Sequence, residues 1–368
     1  MLFSTAIWMR IGLACLVAFV ISLAASPIVR MFAVEVGAID VPTEARRVHD
    51  HPIPRMGGLA IFLGFFLSVL LFVDITNQVR GILIGSIIIV IMGALDDKFG
   101  LKPITKLIVQ IIAAVVAIIY GVSIHVVTNP AMIGSYVFST GYFAIPVTVL
   151  WIVGCTNAVN LIDGLDGLAC GVSAISCITM LVVALMVAQG NVAIILAGLV
   201  GACLGFLPYN TNPAKMFMGD AGSQLLGYVL STVSVLGMFK YYAIVTFIVP
   251  FLAMAFPISD TFAAFFRRIA HGQSPFKADR GHLHHKLLDM GLSQKQAVAV
   301  LYTLSAILGM AAVLLATDWS LLRIILGIVA FIMALGMWIL IEKWNHKNEN
   351  SSEKNITPVN DDENNLEK

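Results

Sequence analysis

The sequence predicts an all-α, polytopic integral membrane protein with about ten to eleven transmembrane helices. Three observations carry this. Of 368 residues, 59% are hydrophobic and 12% charged, where an ordinary soluble domain carries roughly 25% charged residues. The apolar residues fall in blocks of about 20, the length that crosses the hydrocarbon core as helix. These blocks also lack the polar–apolar alternation of a membrane barrel, as in Ile84–Gly93 and Ile111–Tyr120. Backbone in lipid must satisfy its own hydrogen bonds, and a helix does this within one segment. The net charge of +1 gives no reason to expect nucleic acid.

Eleven candidate spans follow in order, near 7–29, 57–73, 80–95, 104–122, 143–161, 167–188, 191–207, 222–239, 242–262, 296–317 and 320–341. Several are short or broken by Gly and Pro, so ten is also compatible. The first span reads as a retained helix. Arg10 is not at the extreme terminus, and the apolar run exceeds that of a cleaved leader. Residues 1–341 form the membrane domain. Residues 342–368, rich in Asn, Glu, Lys and Ser, read as a disordered tail.

All of the 22 Lys and Arg residues except Arg10, Arg80, Lys240 and Arg323 fall in the odd-numbered loops or the tail. The positive-inside rule makes those loops cytoplasmic, with the N-terminus outside and the C-terminus inside. Asn355-Ile356-Thr357 matches a glycosylation pattern, but an inner tail never meets that machinery. The five cysteines all lie in apolar blocks without a C-x-x-C pair, which points to small buried thiols, not disulfides or zinc.

The cytoplasmic side also holds the polar inventory. Asp96-Asp97 ends the third span; it is either a solvated helix end or a pair relieved by a divalent cation or a raised pKa. Asn157, Asn160, Asp163 and Asp166 recur every three residues, with Gly164 and Gly167 loosening the helix into a turn. Four oxygen-bearing side chains at a membrane boundary suit Mg²⁺ better than a simple polar cap. Asp220 follows Phe217-Met218-Gly219 at the start of the eighth span, where it caps a helix or completes a metal site, with Phe217 an aromatic face for a base. Arg280, His282, His284 and His285 sit in a long loop. Zinc is disfavoured there because no Cys or spaced fourth ligand is near. With Arg267 and Arg268 they suit a phosphate-bearing substrate, or alternatively anionic lipid. The first inner loop, Asp40-Val41-Pro42 through Arg47, His49, Pro54, Arg55, Gly57 and Gly58, is too patterned for a spacer.

Together these motifs resemble the polyprenyl-phosphate N-acetylhexosamine-1-phosphate transferases. The likeness runs in order from about residue 10 to 340 and is closest to the bacterial N-acetylglucosamine enzymes that begin teichoic acid or O-antigen synthesis; the form His282-Leu283-His284-His285 favours these over the N-acetylmuramoyl-pentapeptide relatives. The resemblance implies a bacterial plasma-membrane enzyme that transfers GlcNAc-1-phosphate from UDP-GlcNAc to undecaprenyl phosphate, with Mg²⁺ as cofactor and Mn²⁺ as its substitute. It implies Asp220 and Asn160 as metal ligands. Asp96 would deprotonate or position the lipid phosphate, with Asp97 and Asp163 in support. Asp166 would read the uracil with Phe217 stacked on it, and Arg280, His282, His284 and His285 would hold pyrophosphate and sugar. A homodimer is compatible with this reading. A transporter is the rival from another class, but its acids would sit at midplane in repeated halves.

Overall fold

The computed structural model describes residues 4–42, 51–124, 126–128, 137–139, 141–237, 251–270 and 282–316. Its helices are α1 (Thr5–Glu35), α2 (Gly58–Phe72), α3 (Asn77–Phe99), α4 (Pro103–Ile119), α5 (Ala144–Leu161), α6 (Leu168–Met186), α7 (Gly190–Asn210), α8 (Gly219–Gly237), α9 (Ala255–Ala270), α10 (Leu283–Asp289) and α11 (Gln294–Leu315). Six helices of the described residues are long and apolar enough to span a membrane, α2 and α4 being shorter apolar helices. The protein is a polytopic all-α membrane protein. Two small antiparallel ribbons complete it: β1 (Ile39–Asp40) with β2 (Ile53–Pro54), and β3 (Val126–Thr128) with β4 (Val137–Ser139).

The ends of the helices follow local chemistry. Thr76 caps α3, its hydroxyl accepting from the Val79 amide at 3.3 Å. Gly100, at φ 66°, closes α3 in the left-handed conformation, and Pro103 opens α4. Ser293 and Gln296 form a capping box on α11.

Small residues govern how the helices approach. Ala14, Ala18, Ser22 and Ser26 recur every four residues along α1 and are all buried; α1 packs on α7 and α2. Ser22 donates to the Ala202 carbonyl across that contact at 2.8 Å. Lipid offers no hydrophobic drive between helices, so close approach and such bonds supply it. Leu16, Val20 and Ile28 on the other side of α1 are exposed, as a bilayer-facing surface requires.

The sequence expectation needs correction in two places. The ninth span was expected to end near 262, but α9 continues to Ala270, since no Gly or Pro interrupts the chain between Pro257 and Gly272. Arg267 and Arg268 are therefore helical positions. The expected loop also contains α10, whose Leu287 is buried and whose Leu283 and Leu288 pack against the core. The span 320–341, the tail, Arg280, Arg46, Arg47 and His49 lie outside the described residues.

One glycine contact positions the site. A Cβ on Gly58 would collide with the Gly222 backbone of α8. Backbone bonds reinforce this contact: Gly57 N donates to Phe217 O at 2.9 Å and Gly58 N to Met218 O at 2.8 Å. Gly58→Ala should therefore destabilise the detergent-purified protein by about 1–3 kcal/mol. Gly12→Ala, in open space on α1, should leave the melting temperature unchanged.

Candidate active site

Five polar segments meet at one end of the bundle: the C-terminal ends of α3 and α5, the first turns of α4 and α8, and the turn 162–167. Beside them lies a cavity of about 350 Å³ whose wall includes Asn160, Asp163, Asp166, Phe217, Asp220 and His285.

Asp97 sets the frame. It is buried, and both of its oxygens accept from the start of α8: Oδ1 from Asp220 N at 2.8 Å and Oδ2 from Ala221 N at 3.2 Å. An anion at a helix N-terminus satisfies orphan amides and favours the dipole. Gly219, at φ 70°, turns the chain so that these amides face Asp97.

Asp220 and Asp96 are bridged by Lys106. Its ammonium donates to Asp96 Oδ2 at 3.1 Å and Asp220 Oδ2 at 2.8 Å. The other oxygen of Asp96 accepts from Leu101 N at 2.7 Å. Asn160 turns its amide nitrogen toward Asp220 Oδ1, at 3.2 Å, and toward the Ser223 hydroxyl at 2.8 Å. It therefore braces Asp220 with a hydrogen bond and does not present its oxygen beside it.

Asp163 lies in the turn after α5. Burial first, then the neighbouring Asp220 and Asp97 carboxylates, push its pKa up to about 8, with Arg55 opposing. Arg55 itself pairs with Asp40 at 3.2 Å. Asp166 accepts through Oδ2 from Asn212 Nδ2 at 2.9 Å and Ala214 N at 3.0 Å. Asn212 also donates to Gln294 at 2.6 Å, which ties α11 to this wall.

The histidines divide. His285 lines the cavity. His282 is buried, with its Nδ1 2.8 Å from Asp260 Oδ2 on α9; Asp260 Oδ1 accepts from Leu283 N at 2.9 Å. His284 is buried against Gly164, and its Nδ1 has no hydrogen-bond partner among the described residues. Its pKa is pushed down to about 3 by burial and by His285 and His282, against the pull of Asp260. His282 and His284 thus sit inside the wall, one clamped and one packed.

Sequence reading did not single out Lys106, Gln110, Gln224 or Asp260. Each stands within or beside an apolar block, and that was the available signal: polar groups are costly in such places without a partner.

The donor set fits a hard divalent cation in chemistry. It offers carboxylate oxygens and no thiols: Asp163 and Asp220 line the cavity beside Asn160. No group of three His, Cys, Asp or Glu converges as a ready metal cage among the described residues, and Lys106 stands between Asp96 and Asp220.

Residues 79–238, from α3 through α8, match the family model described as glycosyl transferase family 4. The chain is 41% identical over 331 residues to a probable undecaprenyl-phosphate N-acetylglucosaminyl 1-phosphate transferase of Bacillus subtilis, covering 89% of this chain and 91% of that one. The chain belongs to glycosyl transferase family 4. A decaprenyl-phosphate N-acetylglucosaminephosphotransferase of Mycobacterium tuberculosis is 37% identical, over 80% of this chain and 79% of its own. A phospho-N-acetylmuramoyl-pentapeptide-transferase of Rickettsia akari is 31% identical, over 81% and 90%. The stretch matching glycosyl transferase family 4 contains every carboxylate of the cluster and ends before the histidine segment.

His284 yields a pH prediction. Its folded pKa lies below the ordinary histidine value of 6.5, so the folded state resists a proton that the unfolded chain accepts. The stability this provides is complete above pH 6.5 and declines as pH falls toward 3. Between pH 6.5 and 5 the wild type should lose up to about 1.4 kcal/mol per pH unit more than His284→Gln, read as the slope of melting temperature against pH in each protein.

Proposed function

We propose that this protein transfers N-acetylglucosamine 1-phosphate from UDP-GlcNAc to undecaprenyl phosphate at the cytoplasmic face of a bacterial plasma membrane. A phosphate oxygen of the lipid attacks the sugar-bearing phosphorus, the pyrophosphate bond breaks, and UMP leaves. The product is a lipid-linked diphosphate sugar that primes teichoic acid or a related surface polysaccharide. The observation that carries this reading is the carboxylate cluster bridged by Lys106, whose Asp220 lines a polar cavity together with Asp163, at one end of an otherwise apolar bundle. A water-soluble nucleotide sugar and a lipid headgroup can meet only at such a boundary.

Both substrates are anions, so their approach demands positive charge. Lys106 supplies one cation, and Mg²⁺ held by Asp220 with neighbouring carboxylates would supply the rest as charge neutralisation on the pyrophosphate. Asp97 fixes α8 so that Asp220 faces the cavity. Asp96 has both oxygens engaged, by Leu101 N and Lys106. A lipid phosphate is already largely ionised near neutral pH, its second pKa lying near 6 as in other phosphate monoesters. Asp96 therefore acts by placing Lys106, and no proton needs to be removed. Asp166 and Phe217 on the far wall are the candidates for uracil, and His285 and Arg280 those for phosphate and sugar.

The N-acetylmuramoyl-pentapeptide donor is the second reading, favoured by the Rickettsia akari relative. The higher identity to the N-acetylglucosamine-named relatives of Bacillus subtilis and Mycobacterium tuberculosis supports the first. Purified enzyme with undecaprenyl phosphate and Mg²⁺ should release UMP from UDP-GlcNAc and not from UDP-MurNAc-pentapeptide; turnover of only the latter would reverse the assignment. In the same assay Asp220→Asn and Lys106→Met should each lower kcat by at least about 100-fold while membrane insertion persists.

A further inference from the structure

One turn deeper in the bundle than Lys106, Asn160 and Asp220 lies a second layer of polar side chains, and none of them borders the cavity. Gln110 on α4 and Gln224 on α8 are fully buried, and Asn157 on α5 is half-buried. Gln224 Nε2 donates to Asp220 Oδ2 at 2.7 Å. Gln110 Nε2 donates to Gln224 Oε1 at 2.8 Å. Asn157 Nδ2 donates to Gln110 Oε1 at 2.7 Å and to the Val153 carbonyl at 2.8 Å. Gln110 also returns a longer bond of 3.3 Å to Asn157 Oδ1.

The chain has a direction, and its two ends enforce it. A carboxylate and a backbone carbonyl are acceptors only. At one end Val153 O demands the NH₂ of Asn157, which leaves Gln110 to accept from Asn157 and to donate onward. At the other end Asp220 demands the NH₂ of Gln224. Reversing the three amides would set oxygen against oxygen at both ends. Amide dipoles aligned head to tail also polarise one another in surroundings of low dielectric.

We propose that Asn157, Gln110 and Gln224 are positioning residues that act through Asp220, holding its carboxylate in the single orientation the transfer uses. This rests on the function proposed above. The arrangement explains why two glutamines are buried in apolar helices, where an unsatisfied amide is costly. It also explains how Asp220 keeps one rotamer despite having Lys106 and Asn160 as competing partners on the cavity side. If Gln110 is lost, Gln224 Oε1 loses its buried donor, and the side chain is free to leave Asp220 in search of another.

Gln110→Met and Gln224→Met keep chain length and remove the amides. Supporting groups of this kind carry about 10–100-fold of activity. Each variant should therefore lower kcat for UMP release from UDP-GlcNAc at least about tenfold, with KM for UDP-GlcNAc within about threefold and a melting temperature close to wild type. Because the effect passes along one chain, the double variant should be no slower than Gln224→Met alone. A kcat within twofold of wild type in Gln110→Met, losses that multiply in the double variant, or a loss that merely tracks a falling melting temperature would overturn the proposal. Should Gln224→Met fail to fold, Gln110→Met, one bond further from the carboxylate, decides it by its own kcat and melting temperature. Wild-type enzyme run alongside separates the two readings: no UMP release from UDP-GlcNAc by the wild type removes the proposed function, whereas wild-type turnover beside an unimpaired Gln110→Met removes only the amide chain.

Discussion

The grip of Asp97 on the first two free amides of α8 is the interaction on which the site depends. It joins the end of α3 to the start of α8 and so determines where Asp220 can stand. A buried carboxylate with two backbone donors exchanges the cost of its own desolvation for that of two orphan amides. Glycines make the approach possible: a Cβ on Gly93 would strike the Ala221 backbone, and one on Gly58 the Gly222 backbone. The reactive end of the protein is thus built where three helices come closer than side chains ordinarily allow.

Charge is the second constraint, and it follows from the first. Once Asp97 fixes α8, Asp96, Asp163 and Asp220 crowd together, and Lys106 is the cation that touches two carboxylates at once. Burial first, and the neighbouring Asp220 and Asp97 carboxylates after it, raise the pKa of Asp163. The divalent cation proposed above would relieve that crowding. Elsewhere in the bundle α1 is tied to α7 and α2 by hydrogen bonds from Ser22 to Ala202 and from Ser68 to Ala14.

Much of this was legible in the sequence. Hydropathy placed α1 to α8 and α11 within a few residues, because lipid permits little besides helix. The clustering of Asp96, Asp97, Asn160, Asp163, Asp166, Phe217 and Asp220 at one end follows from alternation: successive spans reverse direction, so every second loop returns to the same side. Pairing was not legible. Nothing local shows that Lys106 would reach across to Asp220, 114 residues away, or that Asp97 would spend both oxygens on backbone. The glutamines were hidden for the same reason, since a single amide in an apolar block looks like noise until its partners on other helices are known. The helical residues 263–270 and 283–289 were missed because charged residues there suggested loop, whereas Leu283, Leu287 and Leu288 supply the periodicity of a short packed helix.

The histidine segment shows how two distant parts of the chain share one wall. Asp260 binds the ring of His282 and the amide of Leu283 together, which fixes both the entry of α10 and the direction of its first turn. That direction brings His284 against Gly164, a position where any larger residue would collide with the ring. The turn after α5 and the start of α10 are thereby locked to each other, and His285 is left facing the cavity. The adjacency of three histidines suggested a common role as ligands. The geometry instead separates them: the first is an anchor, the second a spacer kept neutral by burial, and the third lines the cavity. His282 stands in extended backbone before α10 while His284 and His285 are successive helical residues that diverge by about 100°, so the three rings face different surroundings.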